Sequence, residues 1–413
     1  MKLVFRDQTF SFELVRAIGY TVYDGADIGE CLATAARIKE GDFESWHTEW
    51  SRTAQRVQKI AEDCVAGDHN ISARKAYLRA SNYYRVAEFF LHTDPSDPRL
   101  LTTWQASRDC FAQAASRFMF PCEAVEIPYE GTTLPGYFYR VDDSDTPRPT
   151  LIITGGFDSI LEELYFFGAP AALEHGYHCL TFDGPGQGRV IRQQSLPYRP
   201  DWEAVVSPVV EYALSRPEID PNHLALMGVS LGGYLAPRAA AFEPRIKALI
   251  AYDGVFDGFS TVESTMPSAL LSVLEHSPTQ VIDSVLQVIS TLNPGMRWSL
   301  SNGMWTYNVP TPRAFLSKLK EYTLEGCVKQ IACPTLVLAG EKDHFYPGQP
   351  EQLYEHLSCP KTFICFTTEE GAEEHVQAGA MTLLHQRLFD WLDETWQGRT
   401  EGHHSYFSGL GGG

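Results

Sequence analysis

Basic residues are scarce in this chain: 33 Lys and Arg stand against 52 Asp and Glu in 413 residues, a formal net charge of −19. Nucleic acids and anionic membrane surfaces reward clustered cations, so this deficit argues against both as partners. Cysteine pairing is also missing. The nine cysteines are odd in number, scattered, and never spaced C-x-x-C. A disulfide framework or a zinc site is therefore not expected, and reduced thiols in the cytoplasm are. No stretch approaches the roughly 18 uninterrupted apolar residues of a membrane span. The opening MKLVFRDQTFSFELVRAIGY lacks a continuous apolar core and a small-residue cleavage site, so no signal peptide is read there. Internal repeats and metal-ligand spacings are absent too, and no cofactor or metal is expected.

What is present can bury a large core: 44% of the residues are hydrophobic and 21% charged. The length suits a main domain with an accessory one. Residues 1–120 read as helical. Trp46, Trp50, Val57, Ile60 and Cys64 fall roughly on one helical face. A second helix carries Ala76, Tyr77, Ala80, Tyr83, Tyr84, Ala87 and Leu91, and ends where Asp94-Pro95 and Asp97-Pro98 break it. A third runs from about Leu101 to Arg117.

Near Pro121 the texture changes. EAVEIPYEG and LPGYFYRV alternate as paired strands do. Six short apolar runs follow, in TLIITGGF, HCLTFDGPGQG, HLALMGVS, IKALIAYDG, PTLVLAGEKD and KTFICFTTEEG. All but the fourth lead directly into a helical stretch. Near-continuous apolar strands alternating with helices mean an α/β fold, a mostly parallel sheet covered by helices on both faces. Its core spans 121–255 and 331–398. Residues 256–330 interrupt the rhythm as a helical insertion, expected to complete a cap over the strand ends with the N-terminal helices. Residues 399–413 form a flexible tail.

The sharpest local signal is MGVSLGGY, in which Gly228-Val229-Ser230-Leu231-Gly232 is G-x-S-x-G between an apolar strand and a helix. A serine on such a tight turn projects its hydroxyl above the sheet, and glycines two before and two after avoid the clash of flanking side chains. A serine hydroxyl needs a base to take its proton. In the order serine, acid, histidine, Asp343 lies just beyond the strand in LVLAGEKDHFYP, and His375 follows the last strand in TTEEGAEEHVQAG. Asp253, ending the strand in LIAYDG, competes for the acid role. Asp343 is preferred because the turn after its strand is the usual site, and Asp253 stays open as the alternative.

An oxyanion would need two backbone N–H groups. The candidates are Leu231, after the serine, and Phe157 in the GGFDS loop, where Gly155 and Gly156 permit close approach. FDGPGQG lacks the G-x-G-x-x-G spacing of a nucleotide site and reads as a tight loop lining the pocket. Tyr83, Tyr84, Trp298, Trp305 and Tyr307 are candidate pocket aromatics. Glu373 and Glu374 are expected to favour the imidazolium form of His375.

These pieces resemble α/β-hydrolases with an N-terminal helical cap. Within them the chain is similar to fungal secondary-metabolite hydrolases of the fusarin-cluster and heptaketide-shortening pigment types, and to dihydroxypseudooxynicotine hydrolase. NYYRVAEFFL, GGFDSILEELY, FDGPGQG, GVSLGGYLAPRAA, GEKDHFYP and GAEEHVQAG carry the resemblance across about residues 40–395. It implies a Ser230–Asp343–His375 triad, a homodimer, and chemistry on a polyketide-like or β-dicarbonyl small molecule. C–C cleavage, ester cleavage and non-hydrolytic reshaping are all within its range.

Overall fold

The structure, a computed structural model, describes residues 1–265 and 279–397. The tail expected over 399–413 and residues 266–278 of the insertion lie outside the described residues. The N-terminal part forms helices α1 (Gln8–Gly19), α2 (Ile28–Ala35), α3 (Phe43–Ala66), α4 (Asn70–Glu88) and α5 (Pro98–Ala115). Four of them begin on an aspartate, Asp7, Asp27, Asp42 and Asp97, whose carboxylate accepts first-turn backbone N–H groups. Pro98 at the first position of α5 fits the same logic, since it has no N–H to satisfy.

On α3 the expected stripe is buried at Trp46, Trp50 and Val57, whereas Ile60 is 40% exposed. Ala54 and Ala61 complete the inward face, because the stripe that meets α4 lies to one side of Ile60. Helix α4 is buried almost all round through its second half, which explains its many alanines and tyrosines. The Trp46 indole donates to the Val86 carbonyl at 2.7 Å and so pins α3 to α4.

An eight-stranded sheet follows: β1 (Cys122–Tyr129), β2 (Thr132–Tyr139), β3 (Arg148–Thr154), β4 (His178–Phe182), β5 (Ile219–Val229), β6 (Ala248–Tyr252), β7 (Thr335–Gly340) and β8 (Lys361–Phe366). Its order is β1-β2-β4-β3-β5-β6-β7-β8. The β1–β2 hairpin and its junction with β4 are antiparallel, and every other pairing is parallel. Helices α6 (Leu161–Glu174), α7 (Glu203–Leu214), α8 (Gly232–Ala240), α9 (Gly258–Thr265), α10 (Thr279–Leu292), α11 (Pro294–Thr306), α12 (Pro312–Leu319), α13 (Gln349–His356) and α14 (Met381–Trp396) connect and cover it.

Strand residues alternate between two cores, as the period of two requires. Leu151, Ile153, Leu336 and Leu338 point to the face covered by α6, α14 and the N-terminal helices. Ile152, Leu226 and Val337 point to the face covered by α7, α8, α10, α12 and α13. Helix α11 touches both cores, with Trp298 in the first and Leu300 in the second. Trp298 stacks on Phe89 at 4.3 Å, and its indole donates to the Phe89 carbonyl, so the insertion meets the N-terminal helices there. Among the described residues no helix is long and apolar enough to cross a membrane.

Candidate active site

The parallel strands bring their carboxyl ends to one edge, the place where open α/β sheets hold ligands. Phe157 follows β3, Ser230 follows β5, Asp253 follows β6, Asp343 follows β7, and His375 sits on the loop after β8. Neighbouring strands lie about 4.8 Å apart, so only long side chains and loops can join groups two strands away from each other.

Ser230 adopts φ +60, a left-handed conformation that a side chain rarely takes. The turn is closed by Ser230 N–H donating to the Tyr252 carbonyl at 2.9 Å and by Gly233 N–H donating back to the Ser230 carbonyl at 2.6 Å. No larger residue fits beside it. A Cβ on Gly228 would lie 1.8 Å from the Gly232 carbonyl oxygen, and one on Gly232 would lie 2.9 Å from that of Gly155.

His375 Nε2 lies 2.8 Å from Ser230 Oγ, and its Nδ1 lies 2.8 Å from Asp343 Oδ2. The other oxygen of Asp343 accepts the backbone N–H groups of Phe345 and Tyr346 at 2.7 and 3.2 Å. Asp253 also faces the imidazole: its Oδ2 forms an ion-pair contact with the same Nδ1 at 2.9 Å. The two aspartates weighed as alternatives therefore converge on one nitrogen. Burial alone would push the imidazole pKa down, but the charges of Asp343 and then Asp253 outweigh it and raise it to about 10. Burial raises the Asp253 carboxyl, and the neighbouring Asp343 charge adds to that. Asp343 is held below the usual carboxylate range because contact with His375 and two backbone N–H groups overcomes its burial.

Glu373 and Glu374 do not play the part expected of them. Both side chains are buried and turn to the Met1 amino group, which pairs with Glu374 and lies 3.6 Å from Glu373. The carboxylates that raise His375 are aspartates delivered by two other strands.

The amides of Leu231 and Phe157 have no hydrogen-bond acceptor among the described residues. The loop that carries Phe157 is braced from three sides. Asn302 on α11 donates to the Phe157 carbonyl at 3.0 Å, Tyr198 donates to that of Gly156 at 2.5 Å, and Gln187 donates to that of Gly155 at 2.7 Å. Gln187 belongs to FDGPGQG, so this loop supports the Phe157 loop from behind, and its residues do not line the cavity.

A small, partly open cavity of about 60 Å³ lies beside Ser230. Phe12, Phe89, Phe157, Phe167, Trp298 and Phe345 give it apolar aromatic walls. Of the five pocket aromatics expected, only Trp298 lies on this wall. Tyr83 is buried in the helical bundle, with its hydroxyl on Glu30 at 2.8 Å, and Tyr84 reaches Gln58 at 2.7 Å. Trp305 packs 5.2 Å from His92 beneath the Arg192 guanidinium, and Tyr307 packs 5.0 Å from Tyr198. An aromatic in a helical repeat does not reveal whether it faces a core or a cavity. Phe12, Arg16 and Glu13 come from α1, which carried no motif to mark them, and reach the cavity only because that helix folds onto the strand ends. Tyr346 also lines it. Burial keeps its phenol above the usual value, partly opposed by a hydrogen bond with Ser230.

Comparison with known proteins agrees with this architecture. The family model described as Esterase FrsA-like matches residues 29–320. The hydrolase LUC6 of a Fusarium species is 38% identical over 414 residues, spanning 96% of this chain and 98% of its own. The 20-hydroxy-prefusarin hydrolase FUS2 of Gibberella moniliformis is 38% identical over 413 residues, with the same coverages. The crystal structure of 2,6-dihydroxy-pseudo-oxynicotine hydrolase has the same fold, with a TM-score of 0.73 at 22% identity over 92% of this chain and 95% of that one. With the match to that model covering well over half of its length, the chain belongs to the FrsA-like esterase family and is an α/β-hydrolase.

Proposed function

We propose that the protein is a serine hydrolase acting on a carbonyl of a polyketide-like or β-dicarbonyl small molecule of secondary metabolism. Ser230 is the nucleophile, His375 the base, and Asp343 the acid that orients the imidazole. The observation that supports this reading is the pair of 2.8 Å contacts running from Ser230 Oγ through His375 to Asp343. The amides of Leu231 and Phe157 receive the developing oxyanion. The largely aromatic cavity, whose charged residues Glu13, Arg16 and Asp158 are paired with one another, suits an uncharged organic substrate, and the relative whose name specifies 20-hydroxy-prefusarin supports the substrate class.

In this mechanism Ser230 Oγ bonds to a substrate carbonyl carbon while its proton passes to His375 Nε2. For a β-diketone, collapse of the tetrahedral intermediate breaks the adjacent C–C bond. The electron pair leaves as an enolate stabilised by the second carbonyl, and His375 returns its proton to that fragment. For an ester, the alkoxide leaves and takes the same proton. His375 then deprotonates a water, which attacks the acyl-enzyme and releases a carboxylic acid and free Ser230. Helices α1–α5 and the described helices α9–α12 of the insertion act as a cap that excludes bulk water, and the working protein is a homodimer in the cytoplasm.

Ser230→Ala should abolish labelling by a fluorophosphonate probe and lower turnover by about four orders of magnitude or more, with the circular dichroism spectrum unchanged. Full activity in that variant overturns the reading. The esterase description of the family favours a second reading, a general carboxylesterase. Comparing kcat/KM for p-nitrophenyl butyrate and 1-phenylbutane-1,3-dione separates the two, since a dedicated C–C hydrolase prefers the diketone. Metabolite profiling of a strain lacking the gene identifies the substrate by the intermediate that accumulates.

A further inference from the structure

Residue pair 252–253, at the end of β6, grips the two residues that follow His375. Asp253 Oδ2 accepts the Val376 N–H at 2.5 Å, and its Oδ1 accepts the Gln377 side-chain amide at 3.3 Å. The Tyr252 hydroxyl donates to the Val376 carbonyl at 2.5 Å. What they hold is strained: Val376 and Gln377 have φ +48 and +41, and Asp253 itself has φ +57. A β-branched residue in the left-handed region is a true outlier, and such conformations persist where surrounding contacts over-determine them. Asp253 is fully buried, and its backbone abuts the start of α8, where a Cβ on Gly233 would lie 2.4 Å from the Asp253 carbonyl oxygen. One residue thus touches the helix behind Ser230 with its backbone and the loop behind His375 with its side chain. The same carboxylate oxygen that takes the Val376 N–H lies 2.9 Å from His375 Nδ1.

We propose that Asp253 is a second carboxylate for His375: a positioning residue that locks the strained turn behind the imidazole and accepts its Nδ1–H as a hydrogen bond when the Asp343 charge is lost. This rests on the Ser230–His375 reading above. In the intact protein Asp343 accepts the Nδ1–H as a hydrogen bond, and Asp253 fixes the ring from the β6 side. When Asp343 loses its charge, a small rotation of the imidazole delivers Nδ1–H to Asp253 without a change of tautomer, so Nε2 still faces Ser230. The ionisable groups facing His375 are Asp343, Asp253, Tyr346 and His344. Burial lowers His344 to about 4 and keeps it neutral, and the phenol of Tyr346 stays protonated, so among the described residues the two aspartates supply the negative charge at the ring.

The test uses the full chain with Asp343→Asn, Asp253→Asn, the double variant and Ser230→Ala. Fluorophosphonate labelling rates and p-nitrophenyl butyrate hydrolysis are followed from pH 6 to 10, with thermal melting as the folding control. In a triad with a single acid, amidation of that acid costs about 10⁴-fold in turnover. Here Asp343→Asn should keep its rate within about 100-fold of the parent, and the double variant should fall to the full ~10⁴-fold loss. Asp253→Asn alone should shift the apparent pKa of the rate profile downward, which loss of a merely structural contact would not do. A 10⁴-fold fall in Asp343→Asn alone overturns the proposal, as does an Asp253→Asn effect that is equal in both backgrounds with no shift of the profile. Asp343→Asn leaves the clamp on Val376 intact, so its residual rate decides the matter even if Asp253→Asn fails to fold. Labelling that survives Ser230→Ala instead overturns the serine reading itself.

Discussion

His375, the base of the proposed mechanism, has the clearest pH signature. Two buried aspartates raise its pKa to about 10, so the charged form is favoured in the resting protein. A base must be neutral to take the Ser230 proton. The rate should therefore rise with pH, with an apparent pKa above the ordinary histidine value of about 6.5. The linkage to stability has a fixed sign. A group raised in the folded state contributes its full stabilisation below about pH 6.5, and this is lost as pH climbs toward about 10. The melting temperature should fall across that window, and His375→Gln should flatten the fall. Glu373→Gln and Glu374→Gln should leave the apparent pKa of the rate in place, because both side chains turn to the Met1 amino group. A downward shift in either variant would show that their charges do reach the ring. The sequence offered Asp343 and Asp253 as alternatives and set the glutamates beside His375, but it did not reveal that both aspartates meet the ring while the glutamates turn away, since side chains of adjacent residues on an irregular loop need not face the same way.

At the scale of elements, the loop after β3, which the proposed mechanism uses to receive an oxyanion, is braced by groups from distant segments. Asn302, Tyr198 and Gln187 each bind one of its carbonyls. Asn302→Ala frees the Phe157 carbonyl and should let the Phe157 N–H drift from the proposed oxyanion position. The expected result is a loss of about tenfold in kcat with little change in KM, a fraction of the 10²–10³-fold cost of removing a donor outright. Gly156→Ala should cost more, because its Cβ would lie 2.7 Å from the Val229 carbonyl oxygen and 3.0 Å from Leu231 N, pushing the loop away from Ser230. Steady-state kinetics on p-nitrophenyl butyrate measures both. Gly155 and Gly156 were legible as a point of close approach. Asn302 was not, because it lies on α11, a glycine-containing helix with no sharp apolar periodicity.

Across the whole molecule, buried ion pairs tie the N-terminal helices to the sheet. Arg16 on α1 binds Glu163 on α6 at 2.6 Å and Asp158 after β3 at 2.8 Å, and Arg85 on α4 binds Glu13 at 3.1 Å. These side chains are nearly inaccessible, so solvent screens them little. Replacing Arg16 with alanine leaves buried carboxylates without their counter-charge and should cost about 3–5 kcal/mol of stability. Urea unfolding measures it, and a loss below about 1 kcal/mol would mean that the cluster behaves as a surface pair. Because Arg16 and Glu13 also line the cavity, kcat/KM should fall with stability in this variant.

The sequence by itself determined the α/β class, the hairpin followed by parallel strands, the glycine-flanked turn at Ser230, and the strand ends that carry Asp343 and His375. All of these are local: apolar strands buried on both faces show as continuous runs, and a tight turn allows few residues. The tertiary structure decided which groups meet across strands. It brought Asp253 and Asp343 to one imidazole nitrogen, turned Tyr83, Tyr84, Trp305 and Tyr307 away from the cavity, and carried α1 over the strand ends. Those outcomes depend on sheet order and helix docking, which set contacts between residues on different elements, and no periodicity within a single segment encodes them.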